Sequence, residues 1–220
     1  MNTDNLGFIV HELAKGIGVT LQITFLSAAL ALALAFIVAL LRLSPLRPVS
    51  AAARVYIEFL RGTSALVQLF YLFFILPLFG ISLSPMTTAV IGLGLNFSSF
   101  GAEIVRTALV NVSQGQRDAL RALDFPPAVA LRRIILPQAL PFMLPPLGNL
   151  LVELLKSTSL VSMITLSDLT FSGATLITTL GHQTLIWSIV LAAYFILSWP
   201  LTLAVRRYER HHTRHRGLQE

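Results

Sequence analysis

Long uncharged, apolar runs dominate this chain. No charged residue occurs from Gly16 to Leu41, and a run of that length is enough for a helix to cross roughly 30 Å of hydrocarbon. The other apolar runs are also continuous and do not alternate, which favours spanning helices over the strands of a barrel. Composition agrees, since 55% of the residues are hydrophobic, 12% are charged and the mean hydropathy is +0.77. We therefore expect an all-α integral membrane protein.

The apolar runs predict five transmembrane helices. They cover about residues 16–41, 64–79, 86–110, 140–162 and 184–205. An interfacial segment at 54–63 precedes the second span. Residues 165–182 are rich in Ser, Thr and Gly and are predicted to form an exposed loop with room for a short re-entrant helix. Since little sequence remains outside these segments, residues 1–220 are expected to form a single transmembrane domain.

The basic residues predict the orientation of the chain, because Lys and Arg near helix ends remain on the cytoplasmic side. They lie in the loop after the first span, in the long loop at about 111–137 and in the tail. These residues are Arg42, Arg47 and Arg54; Arg117, Arg121, Arg132 and Arg133; and Arg206, Arg207, Arg210, Arg214 and Arg216. The N-terminus is thus predicted outside and the C-terminus inside. The net charge of +6 then reflects anchoring beside the anionic lipid bilayer, and no nucleic-acid motif is present.

The longest cytoplasmic loop contains the stretch QRDALRALDFPPAVALRRIILPQAL, residues 116–140. Its pattern predicts a short amphipathic helix from about Gln116 to Phe125, followed by a break at the two prolines. Ala119, Leu120 and Leu123 would form the apolar face. Nothing within the loop itself can bury that face. The helix could therefore lie on the lipid surface or dock onto a soluble partner, and composition leaves both interpretations open.

A spaced pattern runs through this loop: Asp118-Ala119-Leu120, Asp124 after three residues, Ile134 after nine more, then Leu136-Pro137. It resembles the cytoplasmic Glu-Ala-Ala signature of the membrane subunits of ATP-binding-cassette (ABC) importers. The stretches GVTLQITFLSA, YIEFLRGTSALVQLFY and LLKSTSLVSMI are similar to landmarks of the polar amino acid uptake group within that family, and the resemblance covers about residues 16–210. Asp118 replaces the usual Glu, Asp124 the usual Gly, and Ser64 a common Pro.

The resemblance implies a type I ABC importer permease fold in the bacterial cytoplasmic (inner) membrane. Implied partners are a cytoplasmic ABC ATPase dimer, a second permease copy or homologous permease, and an extracytoplasmic solute-binding protein. The chain has no G-x-x-x-x-G-K-[ST] phosphate loop, so we expect a transport subunit without enzymatic activity or cofactor of its own, with ATP and Mg²⁺ on the partner ATPase. The implied solute is a polar amino acid or an amino-acid-like compatible solute such as ectoine or hydroxyectoine.

The resemblance further implies that the loop helix couples the chain to the ATPase, with the carboxylate of Asp118 available to pair with a basic residue there. The residues assigned to coupling are Gln116, Asp118, Ala119, Leu120, Leu123, Asp124, Phe125, Leu136 and Pro137.

Polar residues within the predicted spans are candidates for a solute pathway, because a mid-bilayer carboxylate costs roughly 3 kcal/mol or more and usually faces a cavity. The candidates are Asn96, Glu103, Asn149 and Glu153. Arg106 follows Glu103 by three residues, so a self-neutralising ion pair is the alternative for that carboxylate. A zwitterionic solute would need groups of both signs in its pathway.

Two other functional classes were weighed. In an ion-coupled carrier, Glu103 and Glu153 would be proton sites, but five spans without an internal inverted repeat argue against that class. A membrane enzyme would need a catalytic constellation, and the sequence contains no cysteine, no zinc-ligand spacing and no evident Ser/His/Asp set. The sequence favours the importer permease.

Overall fold

The computed structural model describes residues 3–214, with side chains described for residues 7–210. Every regular element in this range is helical, and we number the helices in chain order. They are α1 (Thr3–Arg42), α2 (Arg47–Gly62), α3 (Ala65–Phe79), α4 (Pro85–Val110), α5 (Gln114–Ala122), α6 (Pro127–Ile164), α7 (Leu169–Leu180) and α8 (Gln183–Arg214). Arg216, the last basic residue of the predicted tail, lies outside the described residues.

Four of the described helices, α1, α4, α6 and α8, are long and apolar enough to cross a membrane. Helices α2 and α3 form a fifth candidate only as a pair, bent by 101° at the break between them. Alone, α3 is about 22 Å long at 1.5 Å per residue, which is short of the hydrocarbon thickness of roughly 30 Å. The all-α class is confirmed. The predicted span boundaries and the orientation of the termini stay predictions.

Helices α1 and α4 make the most extensive helix contact in the described chain. Small residues permit the close approach: Ala31, Ala35 and Ala39 recur every fourth position and are buried. On the facing helix, a Cβ added to Gly101 would lie 2.9 Å from the Cβ of Ala35. Within a bilayer, the hydrophobic effect does not favour helix contact over lipid contact, so van der Waals packing of this kind stabilises the pair.

Two side-chain amides stabilise the break between α2 and α3. Gln68 Nε2 donates to the Leu60 carbonyl (3.0 Å) and to Thr63 Oγ1 (2.7 Å). Asn96 Nδ2 of α4 donates to the same Leu60 carbonyl (3.1 Å) and to Gln68 Oε1 (3.3 Å). A carbonyl at a helix end lacks an intrahelical donor, and within a membrane another donor must replace it. These amides therefore fix the bend.

Residues 165–182, predicted as an exposed loop with room for a short helix, are mostly the packed helix α7. Asp168 is buried and caps this helix, accepting hydrogen bonds from the N–H groups of Thr170 (3.2 Å) and Phe171 (2.9 Å). Tyr194 Oη of α8 donates to the same carboxylate (3.3 Å). Burial raises the pKa of the Asp168 carboxyl, an effect that the two N–H donors oppose. The polar residues of this segment can thus be buried because they form hydrogen bonds with one another and with Tyr194.

Helix α7 also contacts α1 closely. The Leu169 N–H donates to Thr20 Oγ1 (3.1 Å), and both residues are fully buried. One turn earlier on α1, a Cβ added to Gly16 would lie 2.8 Å from the Leu169 Cα. The backbone of α7 therefore packs directly against α1, at a position where α1 has no side chain.

Helix α6 is composite. Its regular α-helical part, Leu136–Ser157, follows a π turn and precedes a 3₁₀ segment, and it contains Pro141, Pro145 and Pro146. Each proline removes one backbone donor from the helix interior. Ala139 and Met143 are nevertheless fully buried in a cluster with residues of α1 and α4. Packing therefore holds α6 in place despite the missing hydrogen bonds.

Candidate functional site

The loop helix α5 spans Gln114–Ala122, which begins and ends slightly before the predicted 116–125. Its predicted apolar face is divided: Leu120 is buried in the protein, whereas Leu123 is 70% exposed. Most of the residues assigned to coupling lie on the surface. The exposed ones are Gln116, Asp118, Ala119, Leu123, Asp124, Phe125 and Pro137. One side of the helix is thus anchored to the protein and the other is open.

Arg117 attaches α5 to the end of α4. Its Nη2 donates to the Leu109 carbonyl, and its Nε donates to the Val112 carbonyl (3.3 Å). The last carbonyls of a helix lack intrahelical donors, and a cation beside them complements the helix dipole. Sequence reasoning counted Arg117 among the basic residues of the loop and missed this role. The signal available was an arginine located just after the end of a long helix.

Helix α5 ends in a Schellman motif. The Asp124 N–H donates to the Arg121 carbonyl and the Phe125 N–H donates to the Leu120 carbonyl, both at 3.0 Å. Asp124 has φ +50°, in the left-handed region that glycine enters without strain and that Asp tolerates better than most residues. The backbone therefore has the conformation favoured by the Gly of the family signature, although Asp occupies the position.

The Asp118 carboxylate is held only weakly. It accepts hydrogen bonds from Gln114 Nε2 (3.2 Å) and Arg121 Nη1 (3.3 Å) of its own helix, and 57% of its side chain is exposed. An exposed ion pair of this type stabilises a protein by about 1 kcal/mol at most. The carboxylate can therefore exchange Arg121 for a basic group of another protein at little cost.

Leu136 and Pro137 lie at the far end of the loop, where α6 enters the bundle. Leu136 is partly buried and packs against the cluster that contains Val105, Leu109 and Met143, whereas Pro137 is exposed. Both ends of the loop thus contact the region at the end of α4. Arg117 binds the last carbonyls of α4, and Leu136 packs against the cluster that contains α4 side chains.

A cavity of about 550 Å³ lies between α4 and α6, next to the end of α2. Three of the four predicted pathway residues line it: Glu103, Asn149 and Glu153. The remaining lining residues are Arg61, Phe100, Ile104, Thr107, Ala108, Asn111, Phe142, Pro146 and Leu150. The volume lies within the usual range of 300–1,000 Å³ for small-molecule sites, so the cavity can hold an amino acid.

The cavity lining carries charges of both signs. Arg106 Nε donates to both carboxylate oxygens of Glu103, at 3.1 and 3.0 Å, so the ion-pair alternative is observed although Glu103 also lines the cavity. Glu153 is exposed and makes no hydrogen bond or ion pair among the described residues. Arg61 places its guanidinium carbon 5.1 Å from the centroid of the Phe100 ring, a cation–π contact. The lining thus contains both a carboxylate and a guanidinium.

Asn96 does not line this cavity. Its side chain is buried, with a relative exposure of 5%, and its amide is used at the break between α2 and α3. Sequence reasoning also missed Arg61, which it placed near the membrane surface. Arg61 lies in the last turn of α2, where the 101° bend brings α2 beside α4. A bend without a proline left no clear sequence signal.

Comparison with known families identifies the chain. A family model described as "Binding-protein-dependent transport system inner membrane component" matches residues 31–215. Among curated proteins, the probable amino-acid ABC transporter permease protein y4tF of Sinorhizobium fredii (strain NBRC 101917 / NGR234) is 42% identical over 211 residues, which cover 93% of this chain and 89% of that protein.

Two further similarities agree. The glutamine transport system permease protein GlnP of Escherichia coli (strain K12) is 38% identical over 160 residues, which cover 72% of this chain and 73% of that protein. A crystal structure of an amino acid ABC transporter with histidines has a TM-score of 0.87 at 32% identity, covering 96% of this chain and 100% of that chain. The chain therefore belongs to the binding-protein-dependent transport system inner membrane components, as a multi-pass permease subunit of the polar amino acid ABC importers.

Proposed function

We propose that this permease forms the translocation pathway of an ATP-driven importer in the cytoplasmic membrane, with its N-terminus outside and its C-terminus inside. A cytoplasmic ABC ATPase dimer binds ATP and Mg²⁺, while a second permease copy or a homologous permease completes the pathway. An extracytoplasmic solute-binding protein delivers the solute. In this arrangement the chain transports and does not hydrolyse ATP.

The observation that carries the proposal is the geometry of α5. The helix and the turn that ends it expose Asp118, Leu123 and Phe125, while Arg117 holds the other side of the helix to the end of α4. A surface helix with a fixed base and an open apolar and acidic side is suited to enter a groove of another protein. The lipid-surface alternative explains the apolar residues but gives the Asp118 carboxylate no partner beyond Gln114 and Arg121 of its own helix.

Coupling then follows from connections within the chain. A displacement of α5 by the ATPase reaches α4 through Arg117, and α4 packs against α6 in the cluster that Leu136 contacts. These two helices line the 550 Å³ cavity. Packed helices move as rigid bodies between discrete arrangements, so a local displacement at the loop changes the walls of the cavity.

The proposed solute is a polar amino acid. Its ammonium group fits the Glu153 carboxylate and its carboxylate fits the Arg61 guanidinium, both in the cavity lining. The names of the relatives y4tF and GlnP refer to amino acids. This favours an amino acid over ectoine or hydroxyectoine as the solute. Uptake assays with all three, added separately to reconstituted importer, would distinguish the solutes.

The decisive experiment replaces Asp118 by Lys and, as the matched control, by Glu. The tagged chain is extracted gently from its native membrane and the bound proteins are identified. We expect a soluble ATPase to accompany the wild type and Asp118→Glu, and to be lost from Asp118→Lys although membrane insertion is unchanged. ATP-driven uptake by Asp118→Lys at the wild-type rate would contradict the docking role.

A further inference from the structure

The corner between α1 and α2 contains a pocket that shares no lining residue with the 550 Å³ cavity. It has a volume of about 350 Å³ and lies where Arg42 ends the first helix and Arg47 begins the second. Its lining combines short polar or small side chains with basic ones. The lining residues are Arg42, Ser44, Pro45, Arg47, Ser50, Ala51, Arg54 and Val55.

The lining of this corner pocket is cationic. Three arginines contribute to it, and no Asp or Glu is among the lining residues. Arg54 approaches Glu58 only to 3.9 Å, with both side chains more than half exposed, so this ion pair neutralises little of the charge. An adjacent pocket of about 220 Å³ shares Arg42 and Arg54 but is lined by Glu58 and Glu103 as well. That adjacent pocket also contains Arg61 and Arg106, so both pockets are cationic, and the corner pocket differs in that no carboxylate shares its lining.

The corner pocket is also partly preorganised. Arg42 Nη1 donates to Ser50 Oγ (2.9 Å), and this hydroxyl donates in turn to the Arg42 carbonyl (2.9 Å). The two bonds fix the guanidinium across the turn between the helices. An arginine whose side chain is already held loses less conformational entropy when it binds an anion.

Exposed apolar side chains neighbour the basic lining residues along the chain, and one of them, Val55, lines the pocket itself. Leu43 and Leu46 lie in the connection between the helices and are 41% and 61% exposed, and Val55 and Phe59 of α2 are similarly exposed. The pocket lies at the basic end of α1, where a spanning helix meets the headgroup region. An isolated phosphate ion would not use these apolar neighbours, whereas the acyl chains of a phospholipid would cover them.

We propose that the corner pocket binds one anionic phospholipid, with the guanidinium groups of Arg42, Arg47 and Arg54 contacting the phosphodiester and the neighbouring apolar side chains contacting the acyl chains. Guanidinium groups bind phosphate oxygens in bidentate geometry, and basic pockets at the cytoplasmic ends of spanning helices suit anionic headgroups. This site is more specific than the general attraction of basic loops to an anionic bilayer, since it assigns one lipid to one pocket.

The test uses the full chain, purified in a neutral detergent, and native mass spectrometry to count bound lipids. The probes are short-chain phosphatidylglycerol, short-chain phosphatidylcholine and glycerol phosphate. We expect one phosphatidylglycerol per chain, bound at least tenfold more weakly by Arg47→Gln/Arg54→Gln. The matched control, Arg206→Gln/Arg207→Gln, removes the same charge from the end of α8 and should bind like the wild type.

A second variant separates binding from folding. Arg47→Lys/Arg54→Lys keeps the charge but removes the bidentate fork, so it should show an intermediate affinity while retaining the wild-type elution volume in gel filtration. Equal losses in the Gln variant and its control would overturn the proposal in favour of diffuse attraction. Glycerol phosphate binding as tightly as phosphatidylglycerol would overturn it in favour of a free-anion site, and tight phosphatidylcholine binding would also overturn it.

Discussion

Asp124 occupies a backbone conformation in which most residues are strained. Its φ of +50° terminates α5, and a β-branched residue in the left-handed region costs about 1–2 kcal/mol relative to glycine. We expect Asp124→Val to lower the free energy of unfolding by about that amount and Asp124→Gly to change it by less than about 1 kcal/mol. Thermal unfolding of the detergent-purified chain measures both.

Amide hydrogen exchange tests the same prediction at the individual residues of the turn. In Asp124→Val, the amides of Asp124 and Phe125, which close the Schellman motif, should exchange faster than in the wild type, while the amides of α4 should be unaffected. Wild-type exchange in the valine variant would show that the backbone at this position accepts any residue.

The side chains of Asn96 and Glu103 show which contacts within a membrane protein can be predicted from its sequence. The Glu103–Arg106 pair was predictable, because a spacing of three places both residues on one helix face. The role of Asn96 was not, because it binds a carbonyl that is free only where α2 and α3 break. A hydrogen-bond partner that becomes available only in the tertiary structure leaves no local pattern in the sequence.

Among the elements, the contact between α1 and α7 depends on the absence of a side chain at Gly16. A Cβ there would lie 2.8 Å from the Leu169 Cα and 2.9 Å from the Asp168 carbonyl oxygen, and backbone atoms cannot rotate aside. Gly16→Ala should therefore lower the free energy of unfolding by about 1–3 kcal/mol, the usual cost of overpacking.

Gly18 provides the control for this prediction on the same helix. A Cβ at Gly18 meets nothing within 4 Å, so Gly18→Ala should be neutral or raise stability by up to about 1 kcal/mol through helix propensity. Both free energies can be measured by denaturant titration in mixed micelles. Similar values for the two variants would mean that α1 and α7 separate easily at this position.

Helices with long apolar faces could be predicted from sequence, whereas their breaks could not. The apolar runs that form α1, α4, α6 and α8 are continuous and long, so the length of each run was enough to predict a spanning helix. The sharp bend after Gly62 follows no proline, and its stability comes from Gln68 and Asn96 on other turns. The Ser, Thr and Gly residues of α7 favoured an exposed loop with room for a short helix over a packed helix, although Asp168 before it and Gly181 after it are ordinary helix-end residues.

At the scale of the whole molecule, the proposed pathway predicts that the cavity charges affect which solutes the assembled importer binds. Removing the Glu153 charge by Glu153→Gln should raise the KM for a zwitterionic amino acid about tenfold, since a hydrogen bond to a charged group contributes roughly 1.5–3 kcal/mol. The maximal ATP hydrolysis rate should change much less, because α5 is intact. Uptake into proteoliposomes at varied solute concentration measures the KM.

Lys156 provides the matched control, since it is exposed one turn later on the same helix but does not line the cavity. Lys156→Gln should leave the KM within about twofold of the wild type. An equal rise of the KM in both variants would indicate a general electrostatic effect on solute entry. It would mean that Glu153 does not bind the solute.

The attachment of Arg117 to the end of α4 has a mechanical consequence. Leu109, whose carbonyl it binds, is separated from Glu103 by roughly 9 Å of helix axis at 1.5 Å per residue. An unbroken helix of that length is far stiffer than a loop, so little of any movement would be lost to bending. Under the proposed coupling, the distance over which a loop displacement must be transmitted is short, and solute release is expected to follow that displacement without a slow intermediate step.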